Sequence, residues 1–336
     1  MQAQCPGRAS IKRAGRKVRA VCVVYALLTA SQAKAQFAKW EVSGLLGVLP
    51  PKALDRSPIV SQIRARLSLL QLSQAQELAV SLTKQEAQNY EGYFWTAFVE
   101  LQRGDLYSAV RHSRQAEKLR PVGNAVQKVL GLAYLQLEQN LLFQLKMKEA
   151  IELDQADFAP HYCLGRYLQS QNRNHEEAAK HYLLVIERKP DHNEALYYLG
   201  LAYEANGDMA QAKTLYQRAL TASEGARSSF SLAYQGLSRL DRLNNLPESA
   251  LKFARQAIFL EPKLPDNQFE VAKVYAALGR LSEAVDAFKA SLALDATQSS
   301  AYYQLFSLYR RLGDVKTAEQ ALADFKSVVA CYGKEK

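Results

Sequence analysis

Residues 193–224 read NEALYYLGLAYEANGDMAQAKTLYQRALTASE. Leu196, Leu199, Gly200 and Tyr203 fall at i, i+3, i+4 and i+7, one stripe of a helix. Asn206-Gly207-Asp208 breaks that stripe, and Gly207 can adopt positive φ without steric cost. Ala212, Tyr216 and Ala219 then mark a second stripe at i, i+4 and i+7. Small residues at 200, 212 and 219 let the two helices approach closely, while Tyr203 and Tyr216 fill the space beside them.

The small residue at position 200 recurs along the chain as Ala97, Gly131, Gly165, Gly200, Gly236 and Ala272, at steps of 34, 34, 35, 36 and 36 residues. A period of this size marks a solenoid of stacked supersecondary units, each burying its apolar side against its neighbours. The second-helix alanine recurs in register as Ala75, Ala109, Ala178, Ala212, Ala250, Ala284 and Ala318, with Phe143 as the exception. The tyrosine closing the first stripe returns as Tyr134, Tyr203, Tyr275 and Tyr309, and a proline between units as Pro121, Pro190 and Pro262.

This pattern resembles the tetratricopeptide repeat, with its Leu-Gly-x-x-Tyr first helix, Ala-x-x-x-Phe/Tyr second helix and closing proline. The resemblance covers almost everything after residue 55. It implies an all-α solenoid of about eight helix-turn-helix units in a right-handed superhelix, at 56–89, 90–123, 124–157, 158–192, 193–228, 229–264, 265–298 and 299–332. Residues 36–55 are a lead-in segment. The first unit departs from the pattern, with Gln62, Ile63 and Arg66 where Leu, Gly and Tyr are expected. The third lacks the turn glycine and carries Gln139-Asn140 instead. The stretch from Ala222 to Ser229 breaks the period, and Asn244-Asn245-Leu246-Pro247 predicts a lengthened turn. In the last helix Val315, Ala318, Leu322, Phe325 and Val329 form one apolar stripe, leaving the polar outer face that a terminal unit needs.

The N-terminus has a different character. Arg8, Lys12, Arg13, Arg16, Lys17 and Arg19 form a basic run with no acid before Glu41. An apolar segment, AVCVVYALLTA, follows over 20–30, and then Ala33-Lys34-Ala35 before Gln36. Basic region, short apolar core and small-residue cleavage site are the parts of a secretory signal peptide, here 1–35. Eleven apolar residues are too few to span a bilayer, so no stable membrane span is expected in the mature chain. Export to a periplasm or the medium is the expectation, although an Arg-rich, acid-free start also fits organellar import.

That assignment alters the charge argument. The chain carries 43 Lys/Arg against 33 Asp/Glu, but seven of the bases lie in residues 1–35, which leaves 36 against 33. Without a concentrated basic stripe there is little electrostatic case for nucleic acid. Cys5 and Cys22 lie in the leader; Cys163 reads as a small buried hydrophobe and Cys331 sits near the terminus. No phosphate-binding loop or nucleophile elbow occurs. His175 and His181 are six apart, unlike the i, i+4 pair of a zinc protease, and Glu176 and Glu177 diverge on a helix. No catalytic residue, metal ligand or cofactor site is expected.

What remains is a binding surface. The resemblance implies that first helices line the concave face. The inward positions carried over are Phe94, Lys128, Tyr162, Tyr197, Phe269 and Tyr303, joined one turn later by Arg64, Phe98, Arg166 and Lys273. Rings with scattered cations suit an extended peptide or amphipathic helix, unless the rings pack between adjacent repeats instead. The Lys-Asn-Asn-Lys-Arg clamp by which some relatives hold a C-terminal carboxylate is not present at the corresponding positions. The expectation is a non-enzymatic scaffold binding a protein or peptide partner in a bacterial envelope or outside the cell. The alternative is an accessory subunit of an envelope assembly that handles glycan or lipid.

Overall fold

The computed structural model describes residues 57–119, 123–170, 174–225 and 230–332. The leader, the lead-in segment, Pro121 and the side chain of Cys331 lie outside what is described. Among the described residues there are sixteen helices and no strand. They form consecutive pairs: α1 (Pro58–Ser68) with α2 (Leu72–Gln85), α3 (Tyr90–Arg103) with α4 (Leu106–Lys118), α5 (Ala125–Gln136) with α6 (Asn140–Leu153), and α7 (Ala159–Ser170) with α8 (His175–Arg188). The series continues with α9 (Asn193–Ala205) and α10 (Met209–Gly225), α11 (Ser231–Leu243) and α12 (Pro247–Leu260), α13 (Pro265–Ala277) and α14 (Leu281–Leu294), and α15 (Ser299–Arg311) and α16 (Val315–Tyr332). None of these helices is long and apolar enough to cross a membrane.

Each helix packs on the next, and five of the seven successive pairs of odd-numbered helices also meet directly, most extensively α11 with α13. No two even-numbered helices meet to that extent. The odd helices therefore line the inner side of the curved stack. The core follows the same logic, running as three successive clusters along the array instead of converging on one centre.

Small residues set the spacing within pairs. Ala75, Ala109, Ala178, Ala212, Ala250 and Ala284 are all completely buried, and so is Phe143 at the exceptional position. Phe143 fills its larger space against the ring of Tyr167, 5.2 Å away. The column at Gly200 serves the ring opposite it. A Cβ on Gly165 would lie 2.8 Å from Tyr182 Cε1, and one on Gly200 would lie 2.5 Å from Tyr216 Cε1.

Where they are described, turns inside the pairs reverse through one left-handed residue. Gly207 takes φ 86, as its place in the sequence requires, and Leu70, Glu138 and Asn245 take φ 56, 59 and 59 at equivalent points. A side chain there costs about 1 kcal/mol, which the packing of the flanking helices offsets. Two expectations are corrected by this geometry. The third pair turns at Glu138, one residue earlier than Gln139-Asn140, and Asn140 already begins α6. The turn at Asn244–Leu246 is not lengthened, because Asn245 supplies the reversal and Pro247 opens α12, where its missing N–H leaves no bond unmade. The broken period after Ala222 begins as extra helix, since α10 runs on to Gly225. At the C-terminal end Ala318 and Ala321 face the core, while Val315 and Val329 at the ends of the expected stripe are exposed.

Candidate functional site: the inner face

The inner face is built from the odd helices, and its residues divide by how tightly neighbouring pairs close over them. Phe94 and Phe98 on α3 are 2% and 3% exposed and enclose Trp95, with ring centroids 5.1 and 6.0 Å from it. Arg64 reaches across from α1 to sit 4.9 Å over the same Trp95 ring. Lys128 on α5 is buried, and its ammonium pairs with Asp157 at 2.5 Å in the segment leading into α7. Asn124 donates to the same carboxylate at 2.9 Å, so the third and fourth pairs are bolted together here.

The aromatic centre lies between α7 and α11. Tyr162 donates its hydroxyl to Glu194 Oε2 at 2.6 Å and accepts from Arg166 at 3.0 Å; its ring lies 4.9 Å from His192. Arg166 in turn lies 3.8 Å over the Tyr198 ring. Tyr197 packs against Tyr216 at 5.5 Å and Phe230 at 6.0 Å. Burial holds the phenols of Tyr162 and Tyr197 above the usual tyrosine range, so both remain neutral hydroxyls.

These positions correct part of the expected binding set. Phe94, Phe98, Lys128, Tyr162 and Tyr197 are buried, the last three in contacts that reach the next repeat, and offer no open ring or cation to a ligand. The reason is curvature: successive inner helices close on one another, and the position just beyond the core stripe becomes part of the joint. Arg64 and Arg166 are half-buried over neighbouring rings. The inner face stays open at its C-terminal end. Tyr303 on α15 is 50% exposed, with its ring 6.1 Å from Phe306 and 5.7 Å from Phe325. Phe269 on α13 is half-buried against Phe288, with the Lys273 ammonium 5.4 Å above its ring. Burial, together with nearby Arg242 and Arg239, lowers the Lys273 ammonium from the usual lysine range despite Glu270 at 3.5 Å.

Sequence reasoning missed the ion pairs that join one repeat to the next. Arg239 on α11 donates to both oxygens of Glu204 on α9, at 2.5 and 2.8 Å, and to the Tyr216 hydroxyl at 3.2 Å. Burial alone would raise the Glu204 carboxyl; Arg239 outweighs it and holds the group below the usual carboxylate range. Arg242 makes the next link, to Glu270 on α13 at 3.1 Å. Opposite charges about one repeat apart on first helices were the available signal.

The histidines were also missed. Nδ1 of His161 on α7 and Nδ1 of His181 on α8 are 3.0 Å apart, so one ring donates its proton and the other accepts it. Burial first, then the His181 and Arg188 charges, hold His161 down to about 4 despite Asp157. Burial also lowers His181, against the pull of Glu177. Both folded values lie below the 6.5 of a free imidazole, so the unfolded chain binds more protons as pH falls. The contribution of this pair is expected to be fully present above pH 6.5 and lost progressively towards pH 4. Thermal melts across that range should show the loss, reduced in His161→Asn/His181→Asn; an unchanged pH slope would refute this account. Among the described residues no group of three or more His, Cys, Asp and Glu could hold a metal ion, and Cys163 is buried.

The repeat geometry has matching family models. Residues 164–227 and, separately, 266–298 match models described as tetratricopeptide repeat. The chain is a tetratricopeptide-repeat protein. Solved structures share its superhelical fold at low identity. A tetratricopeptide repeat protein from Parabacteroides merdae is 17% identical, with a TM-score of 0.59 over 71% of this chain and 93% of that one. The C-terminal part of a repeat-containing protein from Cytophaga hutchinsonii is 17% identical, with a TM-score of 0.51 over 72% and 97%. A chain of the APC/C hetero-tetramer Cut9-Hcn1 is 12% identical, with a TM-score of 0.62 over 76% of this chain; the tetratricopeptide-repeat protein spans 50% of its length. No curated protein matches the sequence.

Proposed function

We propose that this tetratricopeptide-repeat scaffold holds an extended peptide or a helix of a partner protein against the C-terminal end of its inner face, from α13 to α15. The observation that supports this reading is the half-exposed ring of Tyr303 on α15, taken with Phe269 and Lys273 on α13, the part of the predicted binding set that keeps both ring and cation surface. Elsewhere the inner rings of that set are buried. A ring anchor truncated at an interface typically costs more than about 1 kcal/mol, or several-fold to tenfold in affinity. Lys273→Ala/Tyr303→Ala is therefore expected to reduce partner recovery in a pull-down by about tenfold, with the melt nearly unchanged. Normal folding with undiminished recovery would remove this surface from consideration.

The reading places the scaffold in a bacterial envelope or outside the cell, on the strength of the basic run, apolar core and Ala33-x-Ala35 in the right order. N-terminal sequencing of the protein from a periplasmic or medium fraction should give Gln36 as the first residue. A chain that begins at Met1 and fractionates with cytoplasm would exclude it.

A further inference from the structure

The outer flank of the second helix pair carries a feature unconnected with the inner face. Tyr107, Arg111, Arg114 and Lys118 stand at i, i+4, i+7 and i+11 on α4, one stripe of the helix. They border a cleft of about 530 Å³ that reaches the ring of Tyr93 on α3 and the side chain of Val110. Tyr107 is 78% exposed, and Arg111, Arg114 and Lys118 are exposed as well. Arg114 is held in place by its Nε, which donates to the Tyr134 hydroxyl at 3.0 Å.

Among the described residues no carboxylate lines this cleft. The acids nearest in sequence are turned to other work. Glu100 pairs with His112 Nδ1 at 2.7 Å, Glu117 accepts from Lys146 at 2.8 Å, and Asp105 caps the start of α4. Three cations are thus presented together around aromatic and aliphatic surface, with no carboxylate among the described lining residues. One repeat on, Leu141 and Leu145 of α6 occupy the positions equivalent to Tyr107 and Arg111 and are 83% and 49% exposed. The basic stripe of α4 is thus followed, one repeat on, by exposed apolar side chains on α6.

We propose that the outer flank of α4 and α6 is a second docking surface, which takes an acidic segment of a protein partner with apolar residues beside its carboxylates. Arg111, Arg114 and Lys118 meet the carboxylates, and Tyr93, Tyr107 and Leu141 meet the apolar side chains. The argument is charge complementarity at a matched scale. From Tyr107 to Lys118 the stripe spans roughly 16 Å, about five residues of extended chain. A nucleic acid would need a longer basic track; here the stripe is followed, one repeat on, by leucines, and the chain without its leader holds 36 bases against 33 acids.

The test uses the intact chain and a fluorescein-labelled peptide of glutamates and leucines, read by anisotropy, with a lysine-leucine peptide and an oligothymidylate as comparison probes. The acidic peptide is expected to bind, to weaken as salt is raised, and to lose about tenfold in affinity in Arg111→Glu/Lys118→Glu. Lys273→Ala/Tyr303→Ala on the inner face is expected to leave this binding unchanged, so failure here and failure of the inner-face reading are separable. Both reversed positions are exposed, and circular dichroism checks the fold; should the reversal disturb it, Arg111→Gln/Lys118→Gln with Leu141→Ser takes its place. Acidic-peptide binding that is absent, or that survives these substitutions, overturns the proposal. So does an oligothymidylate that binds more tightly than the peptide through the same residues.

Discussion

Gly200→Leu is expected to destabilise the array by about 3 kcal/mol or more, and Gly207→Ala by only about 1 kcal/mol. The difference lies in what each new side chain meets. A Cβ at Gly200 would lie 2.5 Å from a ring carbon of Tyr216, and a Cβ at Gly236 would lie 2.7 Å from another carbon of that ring. Tyr216 is clasped between two glycines one repeat apart. It cannot swing away, because its hydroxyl donates to Glu204 at 2.7 Å and accepts from Arg239 at 3.2 Å. A leucine at 200 must therefore displace a buried ring together with the ion pair that joins α9 to α11. Gly207 has nothing within 4 Å, and its penalty is that of an alanine held at φ 86. Because each repeat is stabilised by its neighbours, the first loss should spread through the pairs on either side and broaden the urea transition. Equal losses in the two variants would show that the ring is not clasped in this way.

The fold was legible because its signals are periodic. A small residue recurring at 34 to 36 residues, a second-helix alanine in register and a turn at Gly207 all describe local geometry that repeats whatever the curvature of the array. The binding face was less legible for the same reason. Periodicity places Tyr162 and Tyr197 on the inner side of their helices, but it carries no information on how closely α7, α9 and α11 approach one another. That approach decides whether a ring is an anchor for a ligand or part of a joint. Tyr303, at the matching position on α15, stays half exposed. The Glu204–Arg239 pair left a trace in the sequence, as opposite charges 35 residues apart. The His161–His181 contact left none, since it joins two helices of one pair at a spacing that no other pair repeats.

Tyr162→Ala/Tyr197→Ala carries the second large effect, and it is an effect on folding. Both side chains are buried, at 3% and 5% exposure. Truncating a buried aromatic side chain to alanine costs about 3–5 kcal/mol, because the cavity only partly collapses. Each loss has a further consequence here. Without Tyr162 the Glu194 carboxylate loses a 2.6 Å donor, and Arg166, which also lies over Tyr198, loses the hydroxyl to which it donates. Without Tyr197 the rings of Tyr216 and Phe230 lose the contact through which α9, α10 and the start of α11 pack together. The two sites lie on adjacent inner helices and share neighbours, so their losses should combine non-additively. The expected result is a lowered helical signal and a melt displaced by far more than in Tyr303→Ala, whose ring is half open to solvent. Circular dichroism and urea unfolding of the two variants decide the matter. A double variant that melts like the parent chain but fails to recover its partner would restore Tyr162 and Tyr197 to the binding face and overturn the assignment of the joint.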